Sequence, residues 1–250
     1  MKYIGIIPAR YASTRFPGKP LAMIGNKSMI RRVFEQAVKC PVFDKVVVAT
    51  DDERILHHVL EFGEAVMTGS HHRSGTDRCL EATSLISGEQ EIGDKDVVIN
   101  IQGDEPFIQP EQIELLASLF QNPDTGISTL VKHITRAEEL FSPNIVKVVF
   151  DRNFQALYFS RSPIPFIRGA EQDQWLKQHH FFRHVGMYAY RLGVLKKIAS
   201  LPFGDLEKAE SLEQLRWKQE GYPIHVAETS YDSPGIDTPE DLRRLPPQWL

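Results

Sequence analysis

Short apolar, β-branched runs alternate along this chain with segments of helical period, and that alternation constrains the fold more than any other feature. KYIGIIP, KVVVAT (45–50) and DVVINIQ (96–102) read as strands that are apolar on both faces. Between them, SMIRRVFEQAVK places Met29, Ile30, Val33, Phe34, Ala37 and Val38 at helical spacing. TDDERILHHVLEF follows the second strand, with Thr50 and Glu53 spaced as a capping box. A short strand is expected near Ala65–Met67, and a helix from about Asp77 to Ile86. QPEQIELLASLF is a helix with Pro110 at its first position. TGISTLVKHI, IVKVVFD, ALYFSR and PIHVAE add strands. GVLKKIASL, SLEQLRWKQEG and TPEDLRRL add helices, the last capped by Thr238. Strands apolar on both faces and joined by helices predict an α/β fold: a mostly parallel central sheet flanked by helices.

The βα rhythm breaks between about 150 and 190, where aromatics are dense and FFRHVGMYAYR alternates. This stretch reads as an antiparallel arm that covers an active site or pairs with a second subunit. No linker interrupts the chain, so residues 1–250 are expected to form one domain.

Charge is unevenly spread. The first 34 residues hold seven lysines and arginines and no carboxylate, while the whole chain carries a formal charge of −4. Within that segment, the first strand empties into ARYASTRFPGKPL. There Arg10, Arg15 and Lys19 stand among prolines, glycine and small hydroxyl residues. A constrained loop with fixed cations after a strand suits a polyphosphate: backbone N–H groups face the anion, and Arg and Lys neutralise it. The alternative is a solvated basic loop. Overall acidity argues against a nucleic-acid coat. The apolar part of MKYIGIIPAR is too short for a secretory signal, no run approaches membrane-spanning length, and Cys40 and Cys79 suggest no disulfide framework. The expectation is a cytoplasmic protein.

Ligands of parallel α/β sheets bind beyond the carboxyl ends of the strands. Two further polar clusters fall at such ends. In QGDEP, Asp104 follows an apolar strand directly, where a carboxylate can share Mg²⁺ with phosphate oxygens. In GIDTPED, Asp237 either joins the same metal or helps cap the last helix. HHRSGTDR, with Gly75, can read a base or ribose, or be a surface loop. His71 and His72 are adjacent and share no helix face, which disfavours a metal pair. Arg161, Arg183 and His184, near Tyr158, Tyr188 and Tyr190 in sequence, are available to a carboxylated substrate. GxGxxG, GxxxxGK[ST] and GxSxG are absent.

IPARYASTRFPGKPL, VVVATDDERI, HHRSGTDR, VINIQGDEP, NIVKVVFD, ALYFSRSPIP, RHVGMYAYR, LEQLR and DTPEDL together resemble, in order, the blocks of the 3-deoxy-manno-octulosonate (Kdo) cytidylyltransferases. The resemblance runs from about residue 3 to 245, with Phe16 where leucine is common and a divergent 167–180. It implies a nucleotide-diphospho-sugar transferase-like fold and the reaction CTP + Kdo → CMP-Kdo + pyrophosphate, which supplies lipopolysaccharide biosynthesis. It also implies a Mg²⁺-dependent cytosolic homodimer without nucleic-acid or membrane partners. Carried onto this chain, Arg10, Arg15 and Lys19 hold the CTP phosphates, Arg10 and Lys19 also compensating charge during transfer. Ser74, Gly75 and Thr76 lie by the cytosine. Asp104 and Asp237 hold magnesium. Gln102, Arg161, His184, Tyr188, Glu213 and Gln214 form the sugar-acid pocket. Competing readings are a cytidylyltransferase for sialic acid or 8-amino-Kdo, a non-catalytic nucleotide-binding module, and a glycosyltransferase. The joint presence of Lys19, Asp104 and Asp237 disfavours the non-catalytic reading.

Overall fold

The computed structural model describes residues 1–88, 91–233 and 235–245. The chain opens with β1 (Tyr3–Ala9), a loop, and a hairpin of β2 (Met23–Ile24) and β3 (Lys27–Ser28). Then α1 (Met29–Ala37) leads to β4 (Lys45–Thr50), and α2 (Glu53–Leu60) to β5 (Ala65–Met67). Next, α3 (Gly75–Ile86) crosses back to β6 (Val97–Asn100), followed by α4 (Pro110–Ser118), β7 (Ile127–His133) and α5 (Ala137–Phe141). The middle of the chain forms β8 (Lys147–Phe150), β9 (Ala156–Ser160), the single turn α6 (Trp175–Gln178) and the long β10 (Phe182–Arg191). It closes with α7 (Leu192–Ala199), α8 (Asp205–Glu210), α9 (Gln214–Gln219), β11 (Ile224–Glu228) and α10 (Pro239–Arg243).

The main sheet runs β11-β7-β10-β6-β1-β4-β5. The pairs β1–β4, β1–β6, β4–β5 and β7–β11 are parallel, and β10 is antiparallel to both β6 and β7. Alternate residues of each strand enter opposite cores, as a two-residue period requires. Ile7, Val46 and Val48 meet α1, α2 and α4 on one face; Ile4, Ile6, Val47 and Ala49 meet α3, α7 and α9 on the other. Covering on both faces is why the strands read as unbroken apolar runs.

Local signals set most helix starts. Ser28 caps α1, accepting from Arg31 N, and Pro110 opens α4. The expected Thr50–Glu53 box does not form. Thr50 is spent as the last residue of β4, and Asp52 caps α2 instead, accepting from Arg54 N at 3.0 Å. Ser74 starts α3 two residues earlier than the apolar period suggested. The last part of the 150–190 stretch is no outlying arm: Tyr188–Arg191 pair with β6 in the middle of the sheet. Val185 and Met187–Tyr190 are buried on both sides of β10. Among the described residues, β8 and β9 form an antiparallel flap that joins the main sheet through the first residues of β10, which pair with β7 on their other side.

The chain winds outward from β1 through β4 to β5, then returns by α3 to place β6 on the other side of β1. The order reverses between β1 and β6, which opens a crevice at their carboxyl ends.

Candidate active site

The crevice is filled from both strands. After β1, the loop 10–19 folds back on itself: Tyr11 O accepts from Ser13 N and Gly18 N, each at 2.9 Å. Gly18 adopts φ +72°, a left-handed conformation that glycine takes at no steric cost. After β6, Gly103 packs against Pro8, where an added Cβ would stand 2.6 Å from the Pro8 carbonyl oxygen. Only glycine lets the two loops approach so closely.

Two clefts meet at this point. The first, of about 320 Å³, is lined by Arg10, Arg15 and Lys19, by Ser74 and Gly75 at the start of α3, and by Gln102, Asp104 and Asp237. Arg10 is exposed and has no ion-pair partner among the described residues. The N-terminus of the twelve-residue α3 adds its unpaired N–H groups and dipole to these cations. The second cleft also measures about 320 Å³ and shares Gln102, Asp104 and Asp237 with the first; Glu105, His184, Tyr188 and Gln214 complete its polar wall. Tyr188 Oη, Gln214 Nε2 and Glu105 Oε2 are buried there without a hydrogen-bond partner. Unpaired buried polar atoms are costly, so three at one cleft mark a place for a polar ligand.

Asp104 and Asp237 converge. Lys19 Nζ lies 2.6 Å from Asp104 Oδ2 and 3.3 Å from Asp237 Oδ1, while Arg15 Nη2 lies 3.1 Å from the same Asp237 oxygen. Ile236 N donates to Asp104 O at 2.9 Å and joins the two segments. Thr238 and Asp241 form the capping box of α10, which leaves the Asp237 carboxylate to face the cleft. Two carboxylates around one ammonium, opening onto a basic cleft, form a donor set that suits a hard dication sharing phosphate oxygens. Magnesium therefore fits the residues present. Among the described residues no cluster of three or more His, Cys, Asp or Glu side chains offers a site made by protein alone.

Environment tunes two neighbours. Burial, reinforced by Asp104, pushes Glu105 up to about 8. Burial, with Arg183 beside it, lowers His184 to about 3, so its ring is neutral at physiological pH. That ring shares a 2.9 Å hydrogen bond with Thr129 Oγ1, and Gln102 Nε2 donates to Gly186 O at 2.8 Å.

Not every residue expected at the site faces a cleft. Thr76 turns inward, its hydroxyl donating to Glu213 Oε2 at 2.9 Å, while Glu213 itself lines a third cleft beside Arg73 and Ser74 rather than either of the two above. Arg161 spends its guanidinium on the carbonyls of Glu210, Pro143 and Ser211. Conversely, Arg73 and Arg78 line the first cleft and received no role from the sequence. For Arg78 a signal existed: it stands four residues after the cap Ser74, hence on the same helix face.

Comparison with known proteins agrees with this geometry. A family model described as cytidylyltransferase matches residues 4–226. The 3-deoxy-manno-octulosonate cytidylyltransferase of Bacteroides thetaiotaomicron is 55% identical over 97% of this chain and 96% of its own length. That of Thermodesulfovibrio yellowstonii is 51% identical over 97% and 96%. A solved structure of CMP:2-keto-3-deoxy-manno-octonic acid synthetase complexed with CTP superposes with a TM-score of 0.88 at 43% identity, covering 98% of this chain and 96% of that one.

Proposed function

The chain belongs to the cytidylyltransferase family, and on that premise we propose that it activates Kdo, transferring CMP from CTP to the anomeric hydroxyl and releasing pyrophosphate. The observation that carries this reading is the shared wall of the two clefts. A nucleotide held by the basic loop and a sugar acid held by the second cleft meet at Gln102, Asp104 and Asp237.

The sugar hydroxyl attacks the α-phosphorus in line. A new O–P bond forms, the bond to the β-phosphate oxygen breaks, and the hydroxyl proton is lost. Such a transfer needs little covalent help from the protein; positioning and charge stabilisation dominate. Arg10, Arg15 and Lys19 neutralise the triphosphate. Arg10 and Lys19 stabilise the charge that grows on the transferred and departing phosphates. Gln102, His184, Tyr188 and Gln214 orient the sugar acid. Neutral His184 and the buried Tyr188 hydroxyl do so by hydrogen bonding rather than by charge. Asp104 and Asp237 would hold Mg²⁺. When bound, that ion offsets phosphate charge and lowers the pKa of a hydroxyl it touches.

The same reading makes the protein cytoplasmic, a supplier of lipopolysaccharide biosynthesis and a homodimer through the β8–β9 flap. No helix among the described residues is long and apolar enough to cross a membrane. Pyrophosphate release tests the substrate assignment. Release is expected with CTP and Kdo together, and far less with UTP in place of CTP or sialic acid in place of Kdo. Equal or better turnover with sialic acid would overturn it.

A further inference from the structure

The TDDERI segment at the end of β4 contributes no group to the transfer, yet its two aspartates hold an arginine that lines the nucleotide cleft and one that packs on the base of the phosphate loop. Asp51 Oδ2 accepts from Arg78 Nη2 at 2.8 Å. Arg78 Nη1 donates to Thr68 Oγ1 at 2.6 Å, and the Thr68 hydroxyl donates onward to Thr50 O at 3.1 Å. The Arg78 side chain is only 4% exposed, and the residue lines the cleft. Two of its five donors are thereby fixed, and no other side-chain or carbonyl acceptor meets the rest among the described residues. A buried cation held by one carboxylate and aimed into a basic anion cleft is complete only when a ligand supplies further acceptors.

Asp52 acts on the phosphate loop. Its carboxylate takes Arg54 in a fork, Nε to Oδ1 at 2.9 Å and Nη2 to Oδ2 at 2.6 Å. The Arg54 guanidinium carbon lies 3.4 Å from the centre of the Tyr11 ring. Tyr11 in turn backs Gly18 and closes the loop that carries Arg10, Arg15 and Lys19. We propose that Asp51 and Asp52 are positioning residues for nucleotide binding. Asp51 aims Arg78 at the nucleotide; Asp52 holds Arg54 on Tyr11 and so keeps the phosphate loop in its binding shape. The inference rests on the assignment of the first cleft to CTP. Arg78 is buried and Arg54 is exposed, so the first grip is the stronger one.

Calorimetric titration of the full chain with CTP tests this, alongside kcat, the KM for Kdo and the melting temperature. Asp51→Asn is expected to weaken CTP binding about tenfold or more and Asp52→Asn about threefold, as loss of a charge-assisted contact predicts. The KM for Kdo and kcat at saturating CTP should stay within about twofold, because neither aspartate touches the reacting atoms. Thr68→Val removes the second anchor of the same guanidinium without changing charge. It should weaken CTP binding severalfold even if Asp51→Asn folds poorly. Unchanged CTP affinity in Thr68→Val or in folded Asp51→Asn would overturn the inference. So would losses in kcat, Kdo KM and stability that run in parallel, which mark a merely structural role. Failure of the unaltered protein to bind CTP would instead strike at the assignment of the cleft.

Discussion

At the scale of single residues, the site turns on Lys19 lying between Asp104 and Asp237. Both carboxylates were legible as candidates because each follows directly on a strand end or precedes a helix, where ligand groups of parallel sheets gather. Their convergence on one metal was an open reading beside a capping role for Asp237, because spacing alone does not bring together residues so far apart in sequence; in the structure the Ile236–Asp104 backbone bond and the Lys19 ammonium bridge their loops. If they serve one ion, Asp104→Asn and Asp237→Asn should each raise the magnesium requirement steeply, and the double variant should be little worse than either. Additive losses with unchanged magnesium dependence would show them to be structural. Thr76, Glu213 and Arg161 teach the complementary lesson. Motif position put them near the substrate; in the structure Thr76 bonds Glu213 and Arg161 bonds main-chain carbonyls, contacts that sequence spacing does not encode. His184 supports a prediction on pH. Its folded pKa is depressed to about 3, whereas an unfolded histidine titrates near 6.5. Below about pH 6.5 the unfolded chain binds a proton that the folded one refuses, so this contribution to stability is present above that pH and is lost progressively as pH falls toward 3. The slope is at most about 1.4 kcal/mol per pH unit and smaller for a half-buried ring. Urea unfolding between pH 7.5 and 5.5 should show a shallower loss in His184→Gln than in the unaltered protein.

At the scale of elements, the strands and long helices follow the apolar pattern closely, because burial on both faces leaves few alternatives. What the pattern missed were short helices held by tertiary contacts. In α8, Glu207 is buried against Arg216 of α9 through bonds of 2.7 and 2.8 Å; α6 is a single turn seated on its buried Trp175. The place of β10 was also hidden. Its alternation of aromatic and small residues reads as an exposed arm, yet β6 and β7 flank it and the rings of Tyr188 and Tyr190 pack edge-on against Trp217. Gly103 is the element-level contact that holds the crevice at its present width. In Gly103→Ala a Cβ would meet backbone rather than a yielding side chain. The ends of β1 and β6 must then part, with an expected loss of about 1–3 kcal/mol in urea unfolding and a marked loss of CTP affinity. A variant of native stability and native CTP affinity would show that the approach is not needed.

At the scale of the whole molecule, the β8–β9 flap presents an apolar face. Phe154 is 55% exposed, Leu157 58% and Phe166 73%. Beside them a groove of about 730 Å³ runs past Val148, Phe150, Pro165 and Phe181. Exposed apolar side chains on the flap, Phe154 among the groove's own lining, favour a partner, and a second copy is the reading adopted above. Light scattering at micromolar concentration should give about twice the chain mass of 28.5 kDa. A stable monomer would remove the dimer, and Leu157→Asp should dissociate it if it forms. The central claim, however, concerns one bond. Phosphorus NMR of the protein with CTP, Kdo and Mg²⁺ follows that bond directly. The three CTP resonances should give way to one phosphodiester signal and pyrophosphate, and only when all three components are present. Loss of CTP to CDP or CMP at a rate indifferent to Kdo, or no change with all components present, would contradict the account.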